Sequence, residues 1–147
     1  MLNINLDKIT DLDFKTKEAY KTLRTNVQFC GNDVKIISLT SCVPNEGKSM
    51  VSFNLAISMA ETGKKVLFID ADLRKSVLIG RYKINKAIKG LTQYLSGVEQ
   101  LDDVRYSTNV KNMDLILSGP VPPNPAELLN NEKFTELLET ARKEYDY

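Results

Sequence analysis

A chain of 147 residues with Lys+Arg 20 against Asp+Glu 19, two cysteines and no histidine has the length of one domain with a buried core. The missing histidines exclude Ser–His and Cys–His nucleophile activation and histidine metal ligation. Two cysteines make neither a disulfide framework nor a four-cysteine zinc site, and a net charge of +1 gives no global attraction to nucleic acid or an anionic membrane.

The longest apolar runs hold about five residues, against the ~20 of a spanning helix. Residues 1–7 lack the basic and apolar regions of a signal peptide. These features predict a cytoplasmic chain with reduced thiols, in which Cys30 and Cys42 are small buried hydrophobes.

The first element is an amphipathic helix over 16–30. Ala19, Tyr20, Leu23, Val27 and Cys30 recur at three- and four-residue steps, with Glu18, Lys21, Arg24, Thr25 and Gln28 on the other arc. Gly31-Asn32-Asp33 ends it. The β-branched run 34–40 reads as a strand, entering a turn at 41–47. A helix opens at Lys48 and is apolar almost all round, so it belongs at the centre; Gly63 stops it. A second buried strand, 65–70, follows at once. Strand, glycine turn, helix and strand make a βαβ unit, so the two strands are expected to be parallel neighbours joined by a right-handed crossover. A third strand is predicted at 113–118. Pro120, Pro122, Pro123 and Pro125 then hold an extended loop. The last helix carries Phe134, Leu137, Leu138, Ala141 and Tyr145 on one face behind an Asn131 cap. The predicted fold is α/β, a doubly wound, mostly parallel sheet with helices on both faces.

Chemistry concentrates where the first predicted strand meets its helix. A phosphate needs converging N–H donors, which backbone can present only where side chains are small, and the helix N-terminus adds partial positive charge. Asn45, Glu46, Gly47, Lys48, Ser49 and Met50 occupy that junction. In this P-loop arrangement Lys48 reaches the β- and γ-phosphates and the Ser49 hydroxyl ligates Mg²⁺. The strict G-x-x-x-x-G-K-[ST] pattern has glycine where Cys42 stands. The competing reading is an incidental Gly-Lys-Ser turn.

Asp70 and Asp72 end the second predicted strand, at the sheet edge where open α/β folds bind ligands. They read as a pair that approaches a metal or activates a hydroxyl, against the alternative of two solvated loop acids. Arg74 reads as a phosphate-neutralising cation or an exposed arginine. The basic residues Arg74, Lys75, Arg81, Lys83, Lys86 and Lys89 read as a solvated face, with an acidic or phosphotyrosine-bearing tail as the alternative partner.

Three stretches together carry a family resemblance. The first is Glu46–Ser49 after Thr40-Ser41, followed by Phe68-Ile-Asp-Ala-Asp-Leu-Arg74. The second is Glu18-Ala-Tyr-Lys-Thr-Leu-Arg-Thr-Asn26, and the third is Gly119-Pro-Val-Pro-Pro-Asn-Pro-Ala-Glu-Leu-Leu129. The chain resembles the bacterial tyrosine kinases (BY-kinases) of capsule and exopolysaccharide synthesis. The second stretch is similar to their Glu-x-x-Arg-x-x-Arg oligomerisation segment, with Lys21 for the first arginine.

The resemblance implies an ATP·Mg²⁺-dependent protein-tyrosine autokinase. Lys48 and Ser49 would hold nucleotide and metal, while Asp70 and Asp72 would position metal and the tyrosine hydroxyl. The cytoplasmic tail of a transmembrane adaptor would recruit the chain to the inner face of the membrane. Glu18, Lys21 and Arg24 would pack against a neighbour in a homo-oligomeric ring; their bland alternative is a solvated face with local ion pairs. The resemblance also places a Walker B strand directly after a Tyr-Asp-Tyr like 145–147, with a tyrosine-rich tail beyond. A single P-loop kinase domain lacking those parts is therefore expected. Two other readings stand beside it. One is a septum-positioning or partitioning switch ATPase, whose signature lysine would fall where Val43 stands; the other is a non-catalytic nucleotide-binding oligomerisation module.

Overall fold

The computed structural model describes residues 2–7, 9, 11–84 and 87–147. Among these, four strands form one sheet: β1 (Leu2–Ile4), β2 (Val66–Ile69), β3 (Arg105–Thr108) and β4 (Met113–Ile116), in the order β1-β3-β4-β2. The β1–β3 and β2–β4 pairs are parallel and β3–β4 is antiparallel, so the sheet is mixed and mostly parallel, as expected.

Helices cover both faces. α1 (Phe14–Gln28) and α2 (Lys48–Ala60) lie on one, where Phe53, Leu55, Met59, Val66, Met113 and Leu115 share a core. α4 (Leu91–Leu95), α5 (Leu101–Val104), α6 (Pro125–Leu129) and α7 (Glu132–Glu144) serve the other, with Leu67, Leu91, Ile116, Leu128 and Leu137. The alternation of side chains along β2 and β4 divides them between these two cores. α3 (Leu78–Arg81) joins the first through Leu78. This two-layer covering is the doubly wound arrangement read from the sequence.

α2 is central, as its composition requires: seven of its residues from Phe53 to Ala60 are buried, and Phe53 meets Phe68 edge-on at 5.2 Å and Tyr82 at 4.5 Å. Asn131 caps α7 by accepting from the Phe134 N–H. The turn after β4 depends on two glycines. A Cβ on Gly90 would lie 2.3 Å from the Gly119 nitrogen and 2.5 Å from the Leu117 carbonyl, so backbone approaches backbone there.

Three expectations are corrected. Residues 34–40 form no strand. β2 pairs with β4 on one side; on the other the Tyr147 carbonyl accepts from Leu67 N–H at 2.9 Å, and Asp146 N–H donates to the Lys65 carbonyl at 2.8 Å. The run at 145–147 thus holds the position beside β2 that the predicted neighbour would take, and 34–40 gains no ladder partner. Second, Cys30 and Cys42 are exposed, not buried. Third, the inward arc of α1 is rotated. Ala19, Leu23 and Cys30 are exposed while Tyr20 and Val27 touch the core, because Arg24 turns inward to bond α2.

Candidate functional site

The loop 41–47 delivers its backbone to the start of α2. Gly47 sits at φ +82° and Asn45 at +64°, left-handed positions that glycine and asparagine tolerate best. Cys42 is not among the residues with positive φ, so the backbone there has no need of the glycine that the strict motif specifies. The loop is closed by its own side chains: the Cys42 N–H donates to the Glu46 Oε2 at 3.1 Å, and the Ser41 hydroxyl donates to the Val43 carbonyl at 3.1 Å. α2 then begins with the Val51 N–H bonding the Gly47 carbonyl at 2.9 Å. Lys48 and Ser49 are half-buried in its first turn; Asn45, Glu46, Gly47 and Met50 are exposed. The N–H groups of this turn have no partner within the helix and are free for an anion.

Asp70 stands at the carboxyl end of β2, its N–H bonded to the Ile116 carbonyl at 2.9 Å. It is 7% exposed. Its Oδ1 accepts from the Asp72 N–H at 3.2 Å and its Oδ2 from the Ser76 hydroxyl. Burial pushes the Asp70 carboxyl above the usual carboxylate range. The Ser76 and Asp72 donors and the charge of Lys48 pull it back, while the Asp72 carboxylate adds to the rise. Asp72 is half-buried and accepts from the Lys75 N–H at 2.9 Å.

Lys48 and Ser49 thus open α2, Asp70 and Asp72 follow β2 at its carboxyl end, and Arg74 is exposed two residues further on. Lys75, Arg81, Lys83 and Lys89 are also exposed, Lys89 paired to Glu99 at 2.9 Å; Lys86 lies outside the described residues. Glu18, Lys21 and Arg24 lie apart on α1. Lys21 and Glu18 pair at 2.7 Å in the open, the local ion pair of the bland reading, and Arg24 bonds Ser58. Sequence reasoning missed Ser76. Nothing in its neighbours signals the role, because only the fold of the loop 70–76 returns it to Asp70. A hollow of about 610 Å³ lined by Lys65, Arg105, Lys111, Asp114 and Tyr145 lies at the amino-terminal end of β2 and β4 and shares no residue with this site. Among the described residues no helix is long and apolar enough to cross a membrane.

Comparison with known proteins gives the family and the fold. An AAA domain family matches residues 34–147. The tyrosine-protein kinase CpsD of Streptococcus agalactiae is 47% identical over 133 residues, covering 90% of this chain and 58% of its own length. The kinase domain of the Escherichia coli tyrosine kinase ETK superposes with a TM-score of 0.87 at 35% identity, covering 99% of this chain and 58% of that one. The VpsO kinase domain gives 0.72 at 32% identity, covering 91% and 70%. The septum site-determining protein MinD of Pyrococcus horikoshii scores lower, 0.64 at 28% identity over 76% of this chain, so the switch-ATPase alternative is not favoured. The chain spans a little under three-fifths of CpsD. With its P-loop at the head of α2, its Asp-Ala-Asp at the end of β2 and these relatives, the chain belongs to the bacterial tyrosine kinase family, on an α/β P-loop fold.

Proposed function

We propose that this chain binds ATP with Mg²⁺ at the loop Asn45–Met50 and forms the amino-terminal part of a protein-tyrosine autokinase that serves capsular or exopolysaccharide synthesis. The observation that carries the reading is the loop that turns through the left-handed Asn45 and Gly47 into the head of α2 at Lys48, with the buried Asp70 at the carboxyl end of β2. Phosphoryl transfer asks a protein mainly for positioning and charge stabilisation. Lys48 and the first amides of α2 would hold the triphosphate, and Asp70 and Asp72 would orient the tyrosine hydroxyl. Arg74 is the remaining cation for phosphate charge.

The donor set fits magnesium. Ser49, Asp70 and Asp72 offer oxygen ligands only. That suits an ion usually held by one or two carboxylates together with phosphate oxygens and water. When bound, magnesium would neutralise charge on the transferring phosphate.

The same reading extends to the rest of the domain and its partners. The parallel bonding of 146–147 along β2 supports a Walker B strand continuing from that run towards the unpaired segment 34–40. Phe14, 79% exposed, and Phe29, 83% exposed, flank the Glu18–Lys21 pair and support α1 as a ring-forming surface. The cytoplasmic tail of a transmembrane adaptor would bring the chain to the inner face of the membrane.

Incubation with γ-labelled ATP and Mg²⁺ tests the activity. Acid-stable phosphotyrosine is expected; release of phosphate alone would favour the switch ATPase, and binding without turnover the silent module. A chain extended past Tyr147 is expected to work at least about tenfold faster, ~1.4 kcal/mol of barrier, and equal rates would defeat the extended-domain reading.

A further inference from the structure

Asp70 is a buried acid with a neighbour that the catalytic reading leaves unused. The Ser76 hydroxyl donates to Oδ2 while the Asp72 N–H holds Oδ1, so both carboxylate oxygens are engaged from the protein side. The carboxylate plane turns about a torsion that is broad and weakly staggered, and two donors on different oxygens fix it. Ser76 is in turn held by the loop that carries it. Leu73 is buried in the second core, its N–H bonds the Ala71 carbonyl at 3.0 Å, and the Lys75 N–H bonds Asp72.

We infer that Ser76 is a positioning residue: its hydroxyl on Oδ2, opposite the Asp72 N–H on Oδ1, fixes the orientation of the Asp70 carboxylate at the carboxyl end of β2. With one donor on each oxygen, the carboxylate retains lone pairs on both for a further ligand. Without Ser76, Asp70 would keep one backbone donor at 3.2 Å and lose the constraint on its plane. Ser76 touches no reacting atom, so its effect runs entirely through Asp70. The inference rests on the nucleotide reading above, and its test separates the two.

Titration calorimetry of ADP, with and without magnesium, is run on the wild type, Ser76→Ala, Ser76→Thr, Asp70→Asn and the Ser76→Ala/Asp70→Asn double variant. The wild type is expected to bind ADP more tightly with magnesium. Ser76→Ala is expected to lose at least about threefold of that magnesium-dependent gain, leave metal-free ADP binding unchanged, and change nothing further on the Asp70→Asn background. Ser76→Thr, which keeps the hydroxyl, is expected to restore the gain. In phosphotyrosine formation Ser76→Ala should lower kcat about tenfold with little change in KM for ATP. An equal loss with and without metal, or a full additional loss on the Asp70→Asn background, would overturn the positioning role. A wild type that binds no ADP under either condition would instead overturn the nucleotide reading, and this inference with it.

Discussion

Arg24 of α1 donates to the Ser58 carbonyl at 2.7 Å and to the Ser58 hydroxyl at 3.0 Å, so the outermost helix is tied to the helix that begins at Lys48. A charged donor on a carbonyl is among the stronger single bonds a fold makes. α1 has no fully buried residue, and this bond adds to the packing of Tyr20 and Val27 against the core in docking it. Arg24→Ala is expected to destabilise the chain by about 1.5–3 kcal/mol, read as a shift in the urea midpoint at protein concentrations low enough to exclude association. Wild-type stability in that variant would restrict Arg24 to contacts between subunits.

Lys48→Met should weaken ATP binding at least about tenfold, ~1.4 kcal/mol, since the phosphate charge loses its ammonium partner. The melting temperature should barely move, because Lys48 is half-buried in the first turn of α2 and the aliphatic stem is retained. Calorimetry shows whether affinity falls, and unchanged affinity would remove Lys48 from the site.

Phe53 has no exposed surface and packs between Phe68 and Tyr82. Phe53→Ala is expected to cost about 3–5 kcal/mol. The loss should appear in equilibrium unfolding and carry nucleotide binding with it, as α2 loses its seat on β2. A cost under ~1 kcal/mol would mean that the surrounding core collapses into the space.

Tyr145, 8% exposed, donates to Asp114 Oδ2 at 2.6 Å. Burial, and next the Asp114 carboxylate, push its hydroxyl well above the ordinary value of 10.0. A group whose folded pKa is raised binds its proton more tightly folded than unfolded, so its contribution is complete below the unfolded value and is lost as pH climbs past it. Stability should therefore hold up to about pH 10 and then fall. In Tyr145→Phe the alkaline fall should be shallower and the neutral-pH stability lower by about 1–3 kcal/mol, since Asp114 loses its donor. Equal slopes in denaturation series from pH 8 to 11 would assign the alkaline loss to other tyrosines.

Much of the candidate site was legible because its signals are local. Gly47, Lys48 and Ser49 at a helix start, and an apolar run ending in two aspartates, are short-range patterns whose physics, backbone donors at a helix terminus and acids at a strand end, does not depend on remote partners. The same holds for the Asn131 cap and for the apolar wrap of α2. Where the sequence misled, the deciding contact was distant. Residues 34–40 have the composition of a strand, but a strand exists only with a ladder partner, and the partner position beside β2 is held by 145–147. The arc of α1 was misread because periodicity assigns arginine to solvent, while here Arg24 finds acceptors on α2.

The order of residues was sufficient for the two-faced α/β design and for singling out Gly47, Lys48, Ser49 and the paired aspartates as candidates, since each follows from propensity, spacing and the fixed direction of backbone groups. The tertiary structure alone decided the strand order β1-β3-β4-β2, the inward turn of Arg24, the exposure of both thiols and the grip of Ser76 on Asp70. Each of these is a hydrogen-bond partnership or burial between segments that become neighbours only when the chain is folded, and no local pattern encodes them.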